Sequence, residues 1–397
     1  MASSLNHRLH TSPAQAGGDF KKQITQIIFL FSVFCFPFSF CYAQPSKYVR
    51  VSVIENAESL NLKAGGSYEI TDSSGGVLSK GKNLKITVVA HKEGILIAGR
   101  DFRTNKLLIK TDDPDIFIIN GRKFRGSLQF IIDKNGKLSV VNHIDLEDYV
   151  QGILYHEASH YWPMEALKAQ AIVSRTYAVY QMQENKSKDY DLTSDIYSQV
   201  YGGKTSERYR TNKAVQETRG IVLTYKDKIL PTFFHATCGG HTQDASKLWN
   251  IDMPPLKGVT CDFCKESPHF SWHYVLSLNE IKEKLIKAGY KIDELRSIEI
   301  LGKDSSNRNT DLKIVSPLGD IKISAKDFRN LIGPNIIRST NFKVNIISKD
   351  AIFEGFGWGH GVGLCQWGAY FMAKQGYTAE QILRYYYPES DVKTLGF

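Results

Sequence analysis

The sequence predicts an α+β fold, in which an N-terminal β-rich module precedes a mixed α/β region that carries a small α+β insertion. Two changes of pattern support this prediction. Short β-rich runs fill residues 47–143, and the apolar spacing becomes helical from Asp145 onward. The chain has 397 residues, of which 42% are hydrophobic and 23% charged, which is ordinary for globular proteins.

Residues 1–43 are predicted to form a signal peptide. Lys21 and Lys22 precede an apolar run at 27–40, which ends at a small-residue site and favours cleavage after Ala43. Pro37 interrupts the run, which is short for a membrane-spanning helix. We therefore expect an exported protein of the periplasm or cell wall; a retained membrane anchor is the alternative.

The basic charge is mild and spread along the chain. The formal net charge is +9 at pH 7, without a long Lys/Arg run. Such a distribution suits an anionic polymer or surface, whereas nucleic-acid binding is disfavoured because no basic stripe with interleaved aromatic residues is found. Membrane contact is expected only through the signal segment, if that segment is not cleaved.

The predicted N-terminal β module covers residues 47–143 and resembles a barrel or a sandwich. Turn signals such as SSGG, HKEG and KNGK separate its runs. The runs that we predict to be strands are YVRVSVI, SYEIT, LKITVVA, GILIAG, KLLIKT, IFIING, SLQFII and KLSVV.

Helices are predicted after this module. The first, DLEDYVQGILYHEA, begins with Asp145 and has Asp148 three residues later, which resembles a capping box. The second, PMEALKAQAIVSRTYAVYQMQ, has Pro163 near its first turn. A third, at about 206–218, leads to a predicted strand pair, GIVLTY and PTFFHAT.

The composition changes again at 275–350, where we predict the α+β insertion. SLNEIKEKLIKAGY and AKDFRNLIG are typical of helices, and RSIEIL and TDLKIVS are typical of strands. Residues 351–397 then combine a glycine-rich loop, GFGWGHGVG, with two short helices.

Residues 156–160 read HEASH, a match to the zinc-protease pattern H-E-x-x-H. In that class, one uninterrupted helix must carry both histidines. Pro163 closely follows His160 and is predicted to start a new helix, which argues against such a site. A zinc metalloprotease is therefore only a minor alternative.

Glu157 is the candidate general acid. It continues the apolar stripe of Leu146, Val150 and Ile153 at steps of 4, 3 and 4 residues, near the end of its helix. Burial and the helix dipole would both raise the pKa of its carboxyl, as a general acid requires. A solvated glutamate at a frayed helix end remains the alternative.

Four residues form a fair structural zinc pattern of the Cys₃His type: Cys238, His241, Cys261 and Cys264. Because the chain is predicted to be exported, a disulfide among these thiols is the alternative. Cys365 is expected to be a buried small residue.

Four ordered segments together resemble the stage II sporulation protein D and amidase-enhancer family of exported cell-wall proteins. They are IDLEDYVQGILYHEASHYWPMEALKAQAIVSRTYAV, SDIYSQVYGG, FFHATCGGHT and GFGWGHGVGLCQWGAYFMAKQGY. The resemblance implies a lytic transglycosylase that acts on peptidoglycan glycan strands, with Glu157 as its catalytic residue and no cofactor in the chemistry. The sequence departs from the family where Ala158 and Ser159 follow this glutamate and the proline is delayed to Pro163.

The resemblance also implies that 144–274 and 351–397 form the catalytic core. It implies substrate-binding roles for Arg175, Tyr177, Gln199, Tyr201, His360 and Gln366. A structural ion pair at Arg175 and a core histidine at His360 remain open. A zinc site of some family members, built on a His-Cys-Gln segment, is absent because Tyr197-Ser198-Gln199 stands there. A non-catalytic enhancer of a partner cell-wall amidase is the alternative function.

Overall fold

The computed structural model describes residues 47–91, 94–97, 99–112, 117–195 and 198–396. The predicted signal peptide at 1–43 and Tyr197 lie outside these residues. Gln44–Phe397 forms one compact unit. No helix in the described ranges is both long and apolar enough to span a membrane.

An eleven-stranded sheet forms the N-terminal part, which confirms the predicted strand-rich module. Its strands are β1 (Tyr48–Ala57), β2 (Ser59–Asp72), β3 (Val77–His91), β4 (Gly94–Ile97), β5 (Arg100–Phe102), β6 (Lys106–Thr111), β7 (Phe117–Ile119), β8 (Arg122–Phe124), β9 (Ser127–Ile132), β10 (Leu138–Asp145) and β11 (Leu192–Thr193). The order β11-β1-β10-β9-β6-β2-β3-β4-β5 is open at both ends.

The long strand β2 branches the sheet. Tyr68–Asp72 pairs with β6, whereas Leu62–Ala64 pairs with β7, and the register shifts between Ala64 and Ser67. Alternating apolar residues explain why one face is buried: Val49, Val51 and Val53 of β1 all point into the core.

Three helices connect the sheet to the rest of the molecule: α1 (Leu146–Glu157), α2 (Met164–Glu184) and α3 (Tyr209–Glu217). The Asp145 carboxylate caps α1 by accepting the Glu147 N–H at 2.9 Å, as a start at this position predicts. The full capping box is not formed, because the Asp148 carboxylate faces Arg125 at 4.0 Å instead. Helix α2 is buried on opposite sides because it lies between two apolar cores.

The predicted pair of GIVLTY with PTFFHAT is wrong. Strand β12 (Ile221–Tyr225) pairs with β13 (Lys228–Ile229), since Lys226 and Asp227 have positive φ and close a tight hairpin between them. The segment PTFFHAT contributes β14 (Phe234–His235), which instead pairs in parallel with β21 (Leu364–Cys365).

Residues 271–356 carry their own apolar core. The elements are β15 (Ser271–Ser277), α5 (Leu278–Lys287), β16 (Ser297–Ile300), β17 (Asp311–Val315), β18 (Ile321–Ser324), α6 (Ala325–Ile332), β19 (Phe342–Ile347) and β20 (Asp350–Phe356). They form two three-stranded sheets, β15-β20-β19 and β16-β17-β18. The helices and strands predicted at 277–333 are present, whereas β15, β18, β19 and β20 were not predicted. The boundaries of the insertion at 275 and 350 stay a prediction.

The remaining elements surround the second of the two apolar cores that α2 contacts. This second apolar core includes Leu223, Leu364 and Leu383. The elements are α4 (Ser246–Trp249), α7 (Gln366–Lys374), α8 (Ala379–Tyr386) and β22 (Asp391–Thr394). Helices α7 and α8 follow the glycine-rich loop as predicted. Strand β22 pairs with β12 and so returns the C-terminal segment to the middle of the chain.

Candidate active site

Glu157 is the last residue of α1. Ala158 has extended backbone angles, φ −142° and ψ 137°, so the chain leaves the helix immediately after the glutamate. The Ala158 N–H still bonds to the Leu154 carbonyl at 3.0 Å, which closes the last turn. The Glu157 side chain is half-buried and lies at the negative end of the helix dipole. Its position disfavours an ionised carboxylate.

The pKa of Glu157 is raised from 4.5 to about 7. Burial is the main cause, because desolvation penalises the charged form. The backbone N–H of Val200 donates to Oε1 at 3.3 Å and opposes the rise. Glu157 thus exchanges a proton near neutral pH and remains accessible from one side, which are the properties of a general acid–base group.

The loop that contains Val200 is held by buried side chains on either side. The Tyr149 hydroxyl donates to Gln199 Oε1 at 3.0 Å, and Tyr201 donates to Asn142 at 2.9 Å. Gln199 and Tyr201 are each only 1% exposed, so the predicted substrate contacts of these two residues are not supported. Their role in the structure is to fix the loop and, with it, the Val200 N–H.

The predicted substrate-binding role of Arg175 is also not supported. Arg175 is 0% exposed, and its guanidinium donates to both oxygens of Glu147, at 2.8 and 2.7 Å. The Gly220 N–H donates to the same carboxylate at 3.0 Å. Arg175 is therefore a structural ion-pair partner and makes no surface available to a substrate. Glu147 is the buried anion of this pair.

Tyr177 and His360 belong to an aromatic group with Phe233 and Trp249. Phe233 lies 6.0 Å from the Tyr177 ring and 6.3 Å from the His360 ring. The His360 Nε2 bonds to the Phe234 carbonyl at 2.9 Å, and Nδ1 accepts the Val362 N–H at 3.1 Å.

Burial and nearby Arg329 lower the pKa of His360 to about 3, so the ring is neutral. With both ring nitrogens bonded to backbone, His360 holds the glycine-rich loop. This arrangement supports the structural role that the sequence left open; His360 is partly exposed, and its substrate-binding role stays a prediction. Nothing in the contacts of Tyr177 brings it to Glu157.

Gln366 lies beside Glu157. Its Nε2 donates to the Glu157 carbonyl at 3.0 Å and to Gln170 Oε1 at 3.3 Å. The contact joins the start of α7 to the end of α1 across 209 residues of sequence. Among the predicted substrate-binding residues, Gln366 contacts the glutamate, although it touches the backbone and its side chain is largely buried.

An aromatic platform of Trp162, Trp367 and Tyr370 lies next to this contact. Each pair of rings has centroids 5.2 Å apart, and all three side chains are partly exposed. Neither Trp162 nor Tyr370 was predicted from the sequence as a site residue. The spacing of Trp367 and Tyr370, three residues apart on one helix, is the signal that could have indicated a shared face.

The two histidines of HEASH do not form a zinc-protease site. Helix α1 ends at Glu157, so His160 does not follow His156 on the next helical turn. The His156 Nε2 bonds to Ser206 Oγ at 2.6 Å, and the His160 ring packs 4.0 Å from that of Tyr161. The geometry removes the basis of the metalloprotease alternative.

Four cysteine sulfurs converge elsewhere in the second apolar core. Cys238, Cys261, Cys264 and Cys365 are buried, and their Sγ atoms all lie within 4.8 Å of one another. They form the one group of three or more candidate metal-binding side chains found within the described ranges. His241, predicted as the fourth member, instead bonds through Nδ1 to the Thr242 carbonyl at 2.6 Å. Cys365 takes its place because β21 pairs with β14.

Two family models match parts of the chain, and one of the two ranges contains Glu157. Residues 134–225 match the family described as stage II sporulation protein, and 257–363 match a domain of unknown function. An uncharacterized protein of Brachyspira hyodysenteriae is 37% identical over 317 residues, covering 80% of this chain and 84% of the relative. Stage II sporulation protein D of Bacillus subtilis is 31% identical over 267 residues, 64% of this chain and 75% of the relative. The amidase enhancer of Bacillus subtilis is 26% identical over 285 residues, 60% of this chain and 39% of the relative.

Proposed function

The chain belongs to the stage II sporulation protein D family, which has a cell-wall-related role, and from this membership we propose that it is a lytic transglycosylase of peptidoglycan glycan strands. The observation that carries the proposal is Glu157, a half-buried carboxyl with a pKa raised to about 7 at the end of α1.

The reaction requires one carboxyl group. Protonated Glu157 donates its proton to the glycosidic oxygen while the bond from that oxygen to the anomeric carbon breaks. The 6-hydroxyl of the same sugar then bonds to the anomeric carbon and forms a 1,6-anhydro end. The hydroxyl proton passes to the Glu157 carboxylate, which restores the acid without consuming water. Ordinary glycosidases instead need a second carboxylate.

The surroundings of Glu157 support an extended polymeric substrate. Trp162, Trp367 and Tyr370 are partly exposed beside the Gln366 contact, and aromatic rings suit the apolar faces of sugar rings. We propose that this aromatic platform binds the glycan strand. The peptidoglycan strand is thus the proposed partner of the site.

The test is a digestion of purified glycan strands by Gln44–Phe397 without any other protein. We expect mass spectrometry to detect new 1,6-anhydro ends. Glu157→Gln removes the transferable proton at nearly constant shape and should lower the rate by about 10²–10⁴-fold, the usual contribution of a general acid. Binding of strands in a pull-down assay should survive. A Glu157→Gln variant that works at the wild-type rate would refute the assignment.

Similarity to an amidase enhancer supports a second candidate, a non-catalytic protein that stimulates a partner amidase. This function predicts no anhydro ends in the isolated reaction and a faster amidase when the chain is added. Equal stimulation by the wild type and by Glu157→Gln would favour it, because binding alone would then be sufficient.

We also propose export, with cleavage after Ala43. Lys21, Lys22 and the apolar run at 27–40 support it. N-terminal sequencing of the protein recovered from the cell envelope should begin at Gln44. A protein that still begins before Lys21 would contradict the proposal.

A further inference from the structure

The four converging cysteines come from three separate segments. Cys238 follows β14, Cys261 and Cys264 form a C-x-x-C turn, and Cys365 is the N-cap residue of α7. We propose that these four side chains bind one zinc ion as thiolates, and that the site holds the start of α7 in place beside Glu157. His241 takes no part in it.

The spacing of the sulfurs fits a tetrahedral site. With Zn–S bonds of about 2.3 Å, the corners of a tetrahedron lie about 3.8 Å apart. The Sγ atoms of Cys238 and Cys264 are 3.4 Å apart, and all four sulfurs are within 4.8 Å of one another. A disulfide would use two of these sulfurs and leave the convergence of the other two unexplained. A set of four soft sulfur donors selects zinc over magnesium or calcium.

Charge in the surrounding protein supports thiolates. Arg308 is 0% exposed, and its guanidinium Nη2 donates to the Cys238 carbonyl at 2.7 Å. The Nε and Nη1 atoms of Arg308 have no hydrogen-bond partner among the described residues. The nearby Asp304 bonds to the Arg308 backbone N–H at 3.1 Å and to Gln243 at 2.7 Å, so the guanidinium itself is not paired with it.

A buried cation is costly without a compensating anion. With four neutral thiols, the charge of Arg308 would be opposed by Asp304, whose oxygens bond to other groups, and four thiolates without a metal would repel one another. One zinc ion with four thiolates carries a net charge of −2, which the guanidinium partly neutralises. Charge balance therefore favours the loaded site.

Hydrogen-bond donors also point at the sulfurs. The N–H groups of Cys238 and Gly368 lie 3.3 and 3.4 Å from Cys365 Sγ, and the Tyr386 hydroxyl lies 3.1 Å from Cys261 Sγ. Such outer contacts are typical of metal-bound ligands, because they orient the ligand and spread its negative charge.

The site connects directly to the structure around Glu157. Cys365 precedes Gln366, which donates to the Glu157 carbonyl at 3.0 Å. Trp367 follows, and its N–H bonds to the Ala236 carbonyl at 3.0 Å, two residues before Cys238. A metal that joins Cys238 to Cys365 therefore fixes both ends of this contact. Its role is positioning, and it supplies no step of the proposed chemistry.

The first experiment measures metal content and does not depend on glycan cleavage. Full-length protein, expressed with zinc and purified under reducing conditions without chelators, should contain one zinc per chain by elemental analysis. Stepwise modification of the thiols by a mercurial should release that zinc as Cys238, Cys261, Cys264 and Cys365 react. Cobalt in place of zinc should give the intense ultraviolet thiolate-to-cobalt band of a four-sulfur site.

The variants distinguish the two ligand sets. Cys365→Ser should lose the zinc, whereas His241→Ala should retain it at the wild-type stoichiometry. Because Cys365→Ser can fail to fold, the thiol titration of the wild type is the independent readout. Less than about half an equivalent of zinc, oxidised cysteine pairs in the reduced preparation, or iron as the bound metal would each overturn the proposal.

The positioning role has a separate readout. Removal of zinc from the wild type should increase hydrogen exchange in α7 and around Gln366, while β9 and β10 stay protected. Unchanged exchange in α7 would overturn the positioning role even if zinc binds. The metal and exchange measurements remain interpretable if the glycan-cleavage test fails.

Discussion

The two ends of helix α1 each carry a glutamate, buried at Glu147 and half-buried at Glu157, in opposite surroundings. At its start, Glu147 is neutralised by Arg175 and accepts one further bond from the Gly220 N–H. At its end, Glu157 accepts the Val200 N–H, and burial raises its pKa to about 7. The comparison teaches that burial produces a usable acid only where no cation is supplied, because a cation stabilises the ionised form.

Breaking the Glu147–Arg175 pair is expected to have the largest effect on stability. Arg175→Met leaves the Glu147 carboxylate buried without its cation, which should cost about 3–5 kcal/mol of the free energy of unfolding. Urea denaturation measures this loss. Glu380→Ala is the matched control, because it removes an exposed pair with Arg384 and should cost less than about 1 kcal/mol. Similar small losses in both variants would show that the buried pair is not structural.

At the other end of α1, the stability is expected to depend on pH through Glu157. The folded protein holds a proton on Glu157 up to a pKa of about 7, whereas the unfolded chain releases it near 4.5. The stability of the wild type should therefore fall as pH rises from about 4.5 to about 7, relative to Glu157→Gln. One pKa unit corresponds to about 1.4 kcal/mol, so the difference between 4.5 and about 7 amounts to at most about 3–4 kcal/mol, reduced by partial exposure.

Thermal or urea unfolding of the wild type and of Glu157→Gln across this pH range measures the difference in stability. The rate of glycan cleavage should also decline as pH rises through about 7, because the proton donor is lost. Parallel stability curves for the wild type and Glu157→Gln would show that the carboxyl is not perturbed.

The aromatic platform should contribute a smaller effect. Trp367→Ala is expected to weaken strand binding by about 1 kcal/mol, in the range measured for other aromatic contacts. Sedimentation with insoluble peptidoglycan measures the affinity. Phe356→Ala is the control, because Phe356 is an exposed aromatic residue on β20 whose ring packs on Phe270 and not on a ring of the platform. Equal binding by all three proteins would exclude Trp367 from the binding surface.

The histidines that flank Glu157 should have the smallest effect. His156→Ala and His160→Ala remove contacts to Ser206 and Tyr161, but neither side chain carries the proposed proton. Both variants should therefore lose less activity than the 10²-fold expected at minimum from removing a general acid. Total loss in both, together with loss of a bound metal, would restore the metalloprotease alternative.

Local sequence was sufficient to predict the features that depend on interactions between residues close together in the chain. The period of apolar residues determined where α1, α2, α5 and α6 lie, because a helix repeats its buried face within a few residues. The same period placed Glu157 on the buried stripe. The α+β class and the family followed from patterns that are continuous along the chain.

Tertiary structure decided which groups contact Glu157, Glu147 and Cys238, because these contacts join residues that are far apart in sequence. The Val200 N–H reaches Glu157 across 43 residues, Arg175 reaches Glu147 across 28, and Cys365 reaches Cys238 across 127. No local spacing encodes these distances. For this reason the sequence predicted Glu157 as the acid, but it placed His241 in the cysteine cluster where the structure has Cys365, and it expected Arg175 at the substrate. Which groups surround a buried side chain depends on how the whole chain packs.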